Sequence, residues 1–337
     1  MSLTEHTLHY VDNGAGWKLE LKQCRPPKKL NRKQNPIALI PGYGMNSFIF
    51  GYHPRGPSME DYFTGHGFEV WSINLRRQGG SQRFGGSDQF SLKDLAINDL
   101  GAALKHIASH SKSATGKIDL IGCSLGGTLS FIYAALMPRN HAGALVAMGA
   151  PLRWEAVHPL MRLFFASPTL VGMIPMSRTR RLLKALPMAV LRSRLMRLYL
   201  HREIVDLSNK DLLLETVEDP SRHLNREIAE WIKNKDLMID GRNVSEEFKH
   251  TKNPLLCVVA NSDGIVPAMT ALSAEELSGS KIKETLVVGT DKLRFAHADL
   301  FVSNYSHELV FRPVAEWLLD IGHSKTRRSA LSLPSKR

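Results

Sequence analysis

A chain of 337 residues, 43% hydrophobic and 23% charged, can build one large core or a core with an inserted subdomain, and its composition excludes a fibrous or disordered protein. The three cysteines, Cys24, Cys123 and Cys257, are odd in number and widely spaced, which argues against a disulfide framework or a cysteine metal cluster and for a reducing, cytoplasmic setting. The formal charge of +12 is uneven, because ten basic residues between Arg153 and Arg202 accompany one acid, Glu155.

Two strands are expected at His6 to Val11 and Trp17 to Lys22, around the turn Asp12-Asn13-Gly14-Ala15-Gly16. Arg25 to Asn35 is basic and Pro-containing, hence a loop. Pro36 to Ile40 reads as a short buried strand ended by Pro41-Gly42-Tyr43-Gly44. A short helix at Met59 to Thr64, a strand at Phe68 to Leu75 and a Gly-rich loop from Arg76 to Asp88 follow. Ser91 with Asp94 three residues on marks a helix start, and Leu92, Leu95, Leu100, Leu104 and Ile107 form its apolar stripe.

The next run carries the chemistry. Ile118-Asp-Leu-Ile121 leads into Gly122-Cys123-Ser124-Leu125-Gly126-Gly127, and a helical run from Thr128 to Met137 follows. A serine between glycines at a strand-to-helix turn is a nucleophile elbow. The flanking glycines are required because a side chain at either place would strike neighbouring backbone. Cys123 lies one place before the apex and reads as a buried filler.

Gly143 to Met148 is a further strand. After Leu152 about a hundred helical, Arg-rich and Met-rich residues interrupt the alternation. It resumes with the strand Pro254 to Ala260, a helix at Met269 to Leu277, a strand at Ile282 to Val288 and a last helix at Glu308 to Ile321. The pattern predicts an α/β fold, a mostly parallel sheet flanked by helices with an inserted helical cap. The core would comprise 1–152 and 251–322, the cap 153–250, and a basic, disordered tail 323–337.

A serine hydroxyl needs a base, and the base needs an orienting acid, in the chain order Ser, Asp or Glu, His. Asp263, in Ala260-Asn261-Ser262-Asp263-Gly264, follows the strand after the insertion. His297 follows the last strand, with His307 as the alternative; Asp299 reads as structural. The oxyanion would be held by the N–H of Leu125, at the helix start, and that of Tyr43, where Gly42 allows close approach.

These motifs resemble the α/β-hydrolase superfamily over nearly the whole chain: the loop Pro41–Asn46, the elbow Gly122–Gly127 and the pair Asp263 and His297. Gly-Trp-Lys-Leu-Glu-Leu at 16–21 and Val70 to Arg76 look like acid lipases. Ser124 to Ser130 and Ser262 to Pro267 look like polyhydroxyalkanoate synthases. Those synthases use cysteine where this chain has Ser124, which favours hydrolysis over polymerisation. Many lipases have His-Gly where this chain has Pro41-Gly42, a change that leaves a backbone donor in place.

The resemblance and the triad imply a serine carboxylester hydrolase acting through an acyl-enzyme, with no metal or organic cofactor. An acyltransferase with the same triad, or a non-catalytic lipid-binding protein on this fold, is the alternative. In the cap, Met188, Leu191, Leu195 and Leu198 form one helical stripe with Arg194 and Arg197 opposite. With Leu163 to Phe165, Leu170, Val171 and the methionines 161, 173, 176, 188 and 196, they would line a pocket for a medium-to-long acyl or lipid-like ester, form an interfacial patch, or pack the cap onto the core.

The start of the chain lacks a basic and an apolar region typical of a secretory signal. The longest apolar stretch, Leu163 to Met176, is broken by Pro168, Gly172 and Pro175 and is shorter than the ~20 residues of a membrane span. No nucleic-acid-binding motif accompanies the basic segment. It is expected to meet an acidic substrate or, peripherally, an anionic membrane surface, or else to be a solvated face.

Overall fold

A computed structural model describes residues 5–26, 30–167, 169, 178–185, 193 and 195–331. Its strands are β1 (Glu5–Asp12), β2 (Trp17–Arg25), β3 (Ile37–Ile40), β4 (Val70–Asn74), β5 (Gln82–Arg83), β6 (Ile118–Cys123), β7 (Ala142–Met148), β8 (Met238–Ile239), β9 (Arg242–Asn243), β10 (Leu255–Ala260) and β11 (Lys283–Val288). Nine form one sheet in the order β1-β2-β4-β3-β6-β7-β10-β11, with β5 beside β2. From β4 to β11 the pairs are parallel; β1 and β2 close one edge antiparallel.

The sequence explains this order. β3, β6, β7 and β10 are buried at every position, as strands covered on both faces must be. β1 is mostly exposed and β11 half-exposed, and they take the two edges. Alternate residues serve opposite cores: Ala38 and Ile40 join the cluster containing Leu104 and Phe131, while Ile37 and Leu39 join the one containing Phe63 and Phe311.

The expected strands are present, with some ends displaced by a residue or more. β5 and the hairpin β8–β9 were not expected, because two-residue strands leave no periodicity. The hairpin did carry a signal: Asp240-Gly241 supplies φ of 50° and 76°, the turn that an Asp-Gly pair favours between strands. Ser91 caps as expected, its Oγ receiving Asp94 N at 3.1 Å while its own N–H reaches the Asp94 carboxylate. The helix then widens into a π turn, Asp94–Asp99, before Leu100–His110. Asp99, at the end of that turn, is wholly buried and receives Arg76 through N, Nε and Nη2 at 2.6–3.0 Å.

The end of the interrupting segment packs against a helix that flanks the sheet. Its helix Arg222–Asn234 buries Ile228 and Trp231, and Phe248 packs its ring 4.9 Å from Phe131 of the helix Leu125–Leu136. The closing helix, Arg312–Leu331, continues past Ile321 into the segment expected to be disordered; 332–337 lie outside the described residues. Among the described residues, no helix is long and apolar enough to cross a membrane.

Candidate active site

Ser124 stands between β6 and the helix Leu125–Leu136 at φ 51°, ψ −118°, a conformation that costs a non-glycine residue energy and persists only when its surroundings enforce it. They do. A Cβ on Gly122 would lie 2.3 Å from Gly127 N, and one on Gly126 would lie 2.1 Å from Ile40 O. Gly127 is equally constrained, 2.4 Å from Ala150 Cβ by the same construction. Ser124 N donates to Met148 O at 2.8 Å. Leu125 begins the helix, so its N–H has no acceptor within it.

The loop after β3 abuts the serine. A Cβ on Gly42 would come within 3.1 Å of Ser124 Cβ. Tyr43 follows Gly42 in this loop and lines the same cleft as Ser124 and Leu125. The Tyr43 side chain turns to the helix Arg222–Asn234 and donates from Oη to Asn225 Oδ1. Cys123 is buried, 3.8 Å from Met45 Sδ, and burial pushes its thiol far above the ordinary range.

Asp263 and His297 meet. His297 Nδ1 donates to Asp263 Oδ2 at 2.6 Å, and both side chains are almost fully buried. The other carboxylate oxygen accepts Ile265 N at 2.8 Å and Val266 N at 2.9 Å, which fixes the acid. Asn261 ties the two loops, donating to Thr290 O at 2.8 Å and accepting Phe295 N at 2.8 Å. Gly149, the residue after β7, holds φ 56° against this pair. A Cβ there would be 3.0 Å from His297 Cε1 and 3.2 Å from Asp263 Oδ2. Sequence reasoning missed Gly149; its signal was a glycine ending a strand at the sheet's C-terminal edge. His307 lies elsewhere, its Nε2 donating to Pro57 O at 2.8 Å and its ring 4.3 Å from His53.

Ser124, Tyr43 and Leu125 line one cleft with Ile265 and Val266 of the acid loop, roofed by Trp154, Met161, Phe165 and Trp231. Its empty volume is about 440 Å³, counting the open mouth. Met161 and Phe165 therefore meet the expectation of an apolar lining, whereas Leu163 and Phe164 point outward, 73% and 43% exposed. Met196 lines a separate cavity with Tyr199. Leu170, Val171, Met173, Met176, Met188 and Leu191 lie outside the described residues, and Leu195–Leu198 is a 3-10 turn.

The basic segment is less isolated than its sequence suggests. Arg153 pairs with Glu155 and Asp236, Arg180 with Glu215 and Glu218, Lys184 with Glu215, and Arg197 and Arg202 with Glu203. Most of the acids that pair with the segment follow Arg202 in the chain.

The alpha/beta hydrolase fold family matches residues 35–289, and the chain belongs to that family. Solved structures agree on the fold. A monoacylglycerol lipase of Paleococcus ferrophilus is 21% identical with a TM-score of 0.53, over 85% of this chain and 96% of that one. A soluble variant of the monoglyceride lipase of Saccharomyces cerevisiae, in complex with a substrate analog, is 14% identical with a TM-score of 0.63, over 95% of each chain. A putative aryl esterase of Burkholderia cenocepacia is 16% identical with a TM-score of 0.58, over 94% of this chain and 100% of that one. No curated protein sequence matches the chain.

Proposed function

We propose that the protein is a serine carboxylester hydrolase acting through an acyl-enzyme on medium-to-long acyl or lipid-like esters. The observation that carries this reading is the 2.6 Å bond between His297 Nδ1 and Asp263 Oδ2, with Ile265 and Val266 of the acid loop lining the cleft of Ser124. Ser124 Oγ attacks the ester carbonyl and passes its proton to His297 Nε2. Asp263 keeps the Nδ1–H tautomer and stabilises the imidazolium. The N–H groups of Leu125 and Tyr43 hold the oxyanion. The tetrahedral adduct expels the alcohol, which takes the proton from Nε2. Water then attacks the acyl-serine, gives its proton to Nε2, and release of the acid returns the proton to Ser124.

The apolar walls of the cleft support an acyl substrate, and the lipase and esterase neighbours support ester chemistry. Leu160, Leu163 and Phe164 are exposed around Arg162, which supports peripheral contact of this face with an anionic membrane; salt-sensitive sedimentation with anionic vesicles tests it. The three buried free cysteines support a cytoplasmic setting.

The deciding experiment is hydrolysis of p-nitrophenyl esters from acetate to palmitate by wild type and Ser124→Ala. Activity lost in the variant supports the nucleophile, and the preferred chain length sizes the cleft. Activity equal in both overturns the assignment. Wild type inactive on every ester, but labelled at Ser124 by a phosphonate and transferring acyl groups to an added alcohol or thiol, is the acyltransferase; no labelling leaves a lipid-binding protein.

A further inference from the structure

The short segment Leu198–His201 runs between the two loops that carry Asp263 and His297 and bonds to both. Gly264 N, beside Asp263, donates to Leu198 O at 3.0 Å. Ala298 N, beside His297, donates to Tyr199 O at 2.8 Å. The fit against the acid loop is close, since a Cβ on Gly264 would lie 2.5 Å from Leu198 Cδ2. Tyr199 places its ring centroid 6.1 Å from that of His297.

The segment ends on a second His–Asp couple. Asp299 is wholly buried, two residues after His297. Its Oδ2 accepts Ala296 N at 2.7 Å, which closes the loop around His297. Both carboxylate oxygens accept His201 N at 3.1 Å, and Oδ2 also accepts His201 Nδ1–H at 3.0 Å. Burial pushes the Asp299 carboxyl pKa up, and the bonds from His201 and Ala296 oppose that push. One carboxylate therefore holds the base-bearing loop on one side and the interrupting segment on the other. Without the His201 side chain, a buried carboxylate loses a donor, and an unmet buried charge is costly. The loop 296–299 can relieve that cost by shifting, and it carries the imidazole with it.

We propose that His201, acting through Asp299, is a positioning residue for His297. The proposal rests on the reading of His297 as general base. It adds that the angle of the imidazole is set from the interrupting segment as well as by Asp263. His201 itself touches neither the ester nor Ser124 in this scheme. A displacement of about 1 Å in a reacting group lowers turnover by about 100-fold, so a small shift of the loop is enough to be read.

The test compares wild type, His201→Ala and His201→Asn as full chains. Asparagine keeps an N–H near the place of Nδ1. The first readout needs no turnover: the far-downfield proton resonance of the His297 Nδ1–H, assigned by its disappearance in Asp263→Asn. The second is the pH profile of kcat/KM on a soluble p-nitrophenyl ester. His201→Ala is expected to broaden or move the resonance, to shift the acidic limb of the profile, and to lower kcat by about 10- to 100-fold with KM changed by less than about twofold. His201→Asn is expected to restore most of each. A resonance and a pH profile both unchanged in His201→Ala overturn the proposal. So does an equal loss in both variants that tracks a fall in thermal midpoint, which is the mark of a merely structural contact. If Ser124→Ala still hydrolyses the ester, the hydrolase reading fails instead, and the resonance alone decides whether His201 positions His297.

Discussion

The Tyr43 hydroxyl donates a hydrogen bond to Asn225 Oδ1, tying the loop after β3 to the wholly buried face of the helix Arg222–Asn234. Burial pushes the phenol's pKa up, so it stays a protonated donor. Tyr43 thus has two separable parts, the backbone N–H proposed as an oxyanion donor and a side chain that ties its loop to the helix Arg222–Asn234. Tyr43→Phe keeps the first and removes the second. It is expected to lower stability by about 1–3 kcal/mol, because a buried amide oxygen loses this donor. Its kcat should fall less than the ~10²- to 10³-fold that follows loss of an oxyanion donor. Urea unfolding and ester kinetics on one preparation separate the two. A kcat loss of full oxyanion-hole size would make the hydroxyl, not the backbone, the group that meets substrate.

Gly149 gives a sharper test of the same site. At φ 56° it faces His297 and Asp263, and a Cβ there would sit 3.0–3.2 Å from them, so these neighbours would have to give by a few tenths of an ångström. Gly149→Ala forces two adjustments. The left-handed backbone costs an alanine about 1–2 kcal/mol, and the new Cβ pushes on the imidazole. Expected is a kcat lower by about 10- to 100-fold with KM nearly constant. A variant that loses stability but keeps kcat would show that the imidazole gives way without leaving its working position.

The elbow, the acid loop and the histidine loop were legible because each sits at a fixed place in the alternation of strands and helices and each is local in sequence. The inner strands were legible because burial on both faces leaves uninterrupted apolar runs. What was not legible is made by residues far apart in the chain. Arg76 meets Asp99 across a π turn whose widening leaves no mark in the apolar stripe. His201 meets Asp299, which the sequence marked only as structural. Arg180 and Lys184 meet Glu215 and Glu218, more than thirty residues further along the chain. Such pairs have no spacing rule, since the fold alone brings them together.

The thiols carry a prediction that bears on the nucleophile. Cys24, Cys123 and Cys257 are all buried, and burial raises each pKa, that of Cys257 to about 12. Thiolate, not thiol, reacts with iodoacetamide. The native protein should therefore resist iodoacetamide near neutral pH and keep the proposed esterase activity, while the urea-unfolded chain labels at all three positions. Mass spectrometry reads the label. Rapid modification of native Cys123 with loss of activity would place a reactive thiolate beside Ser124 and overturn the assignment of Cys123 as filler.

His106 predicts how stability changes with pH. It lies on the helix Leu100–His110, its ring stacked 3.8 Å from His110 and its Nε2 3.1 Å from His9 Nδ1 on β1. Burial, His110 and His9, in that order, lower its pKa from 6.5 to about 4. Between those values the unfolded chain binds more protons than the folded one, so stability falls as pH falls. The contribution is whole above pH 6.5, is lost progressively toward about pH 4, and changes no further below that. His53, buried against His307, is shifted down as well and adds to the same trend. His106→Gln cannot take up a proton, so its urea midpoint should decline less than that of wild type over this range, while the two converge in shape above pH 6.5. Parallel declines in the two proteins would show that His106 titrates alike in the folded and unfolded chains, and that the stack of histidines exerts no electrostatic cost.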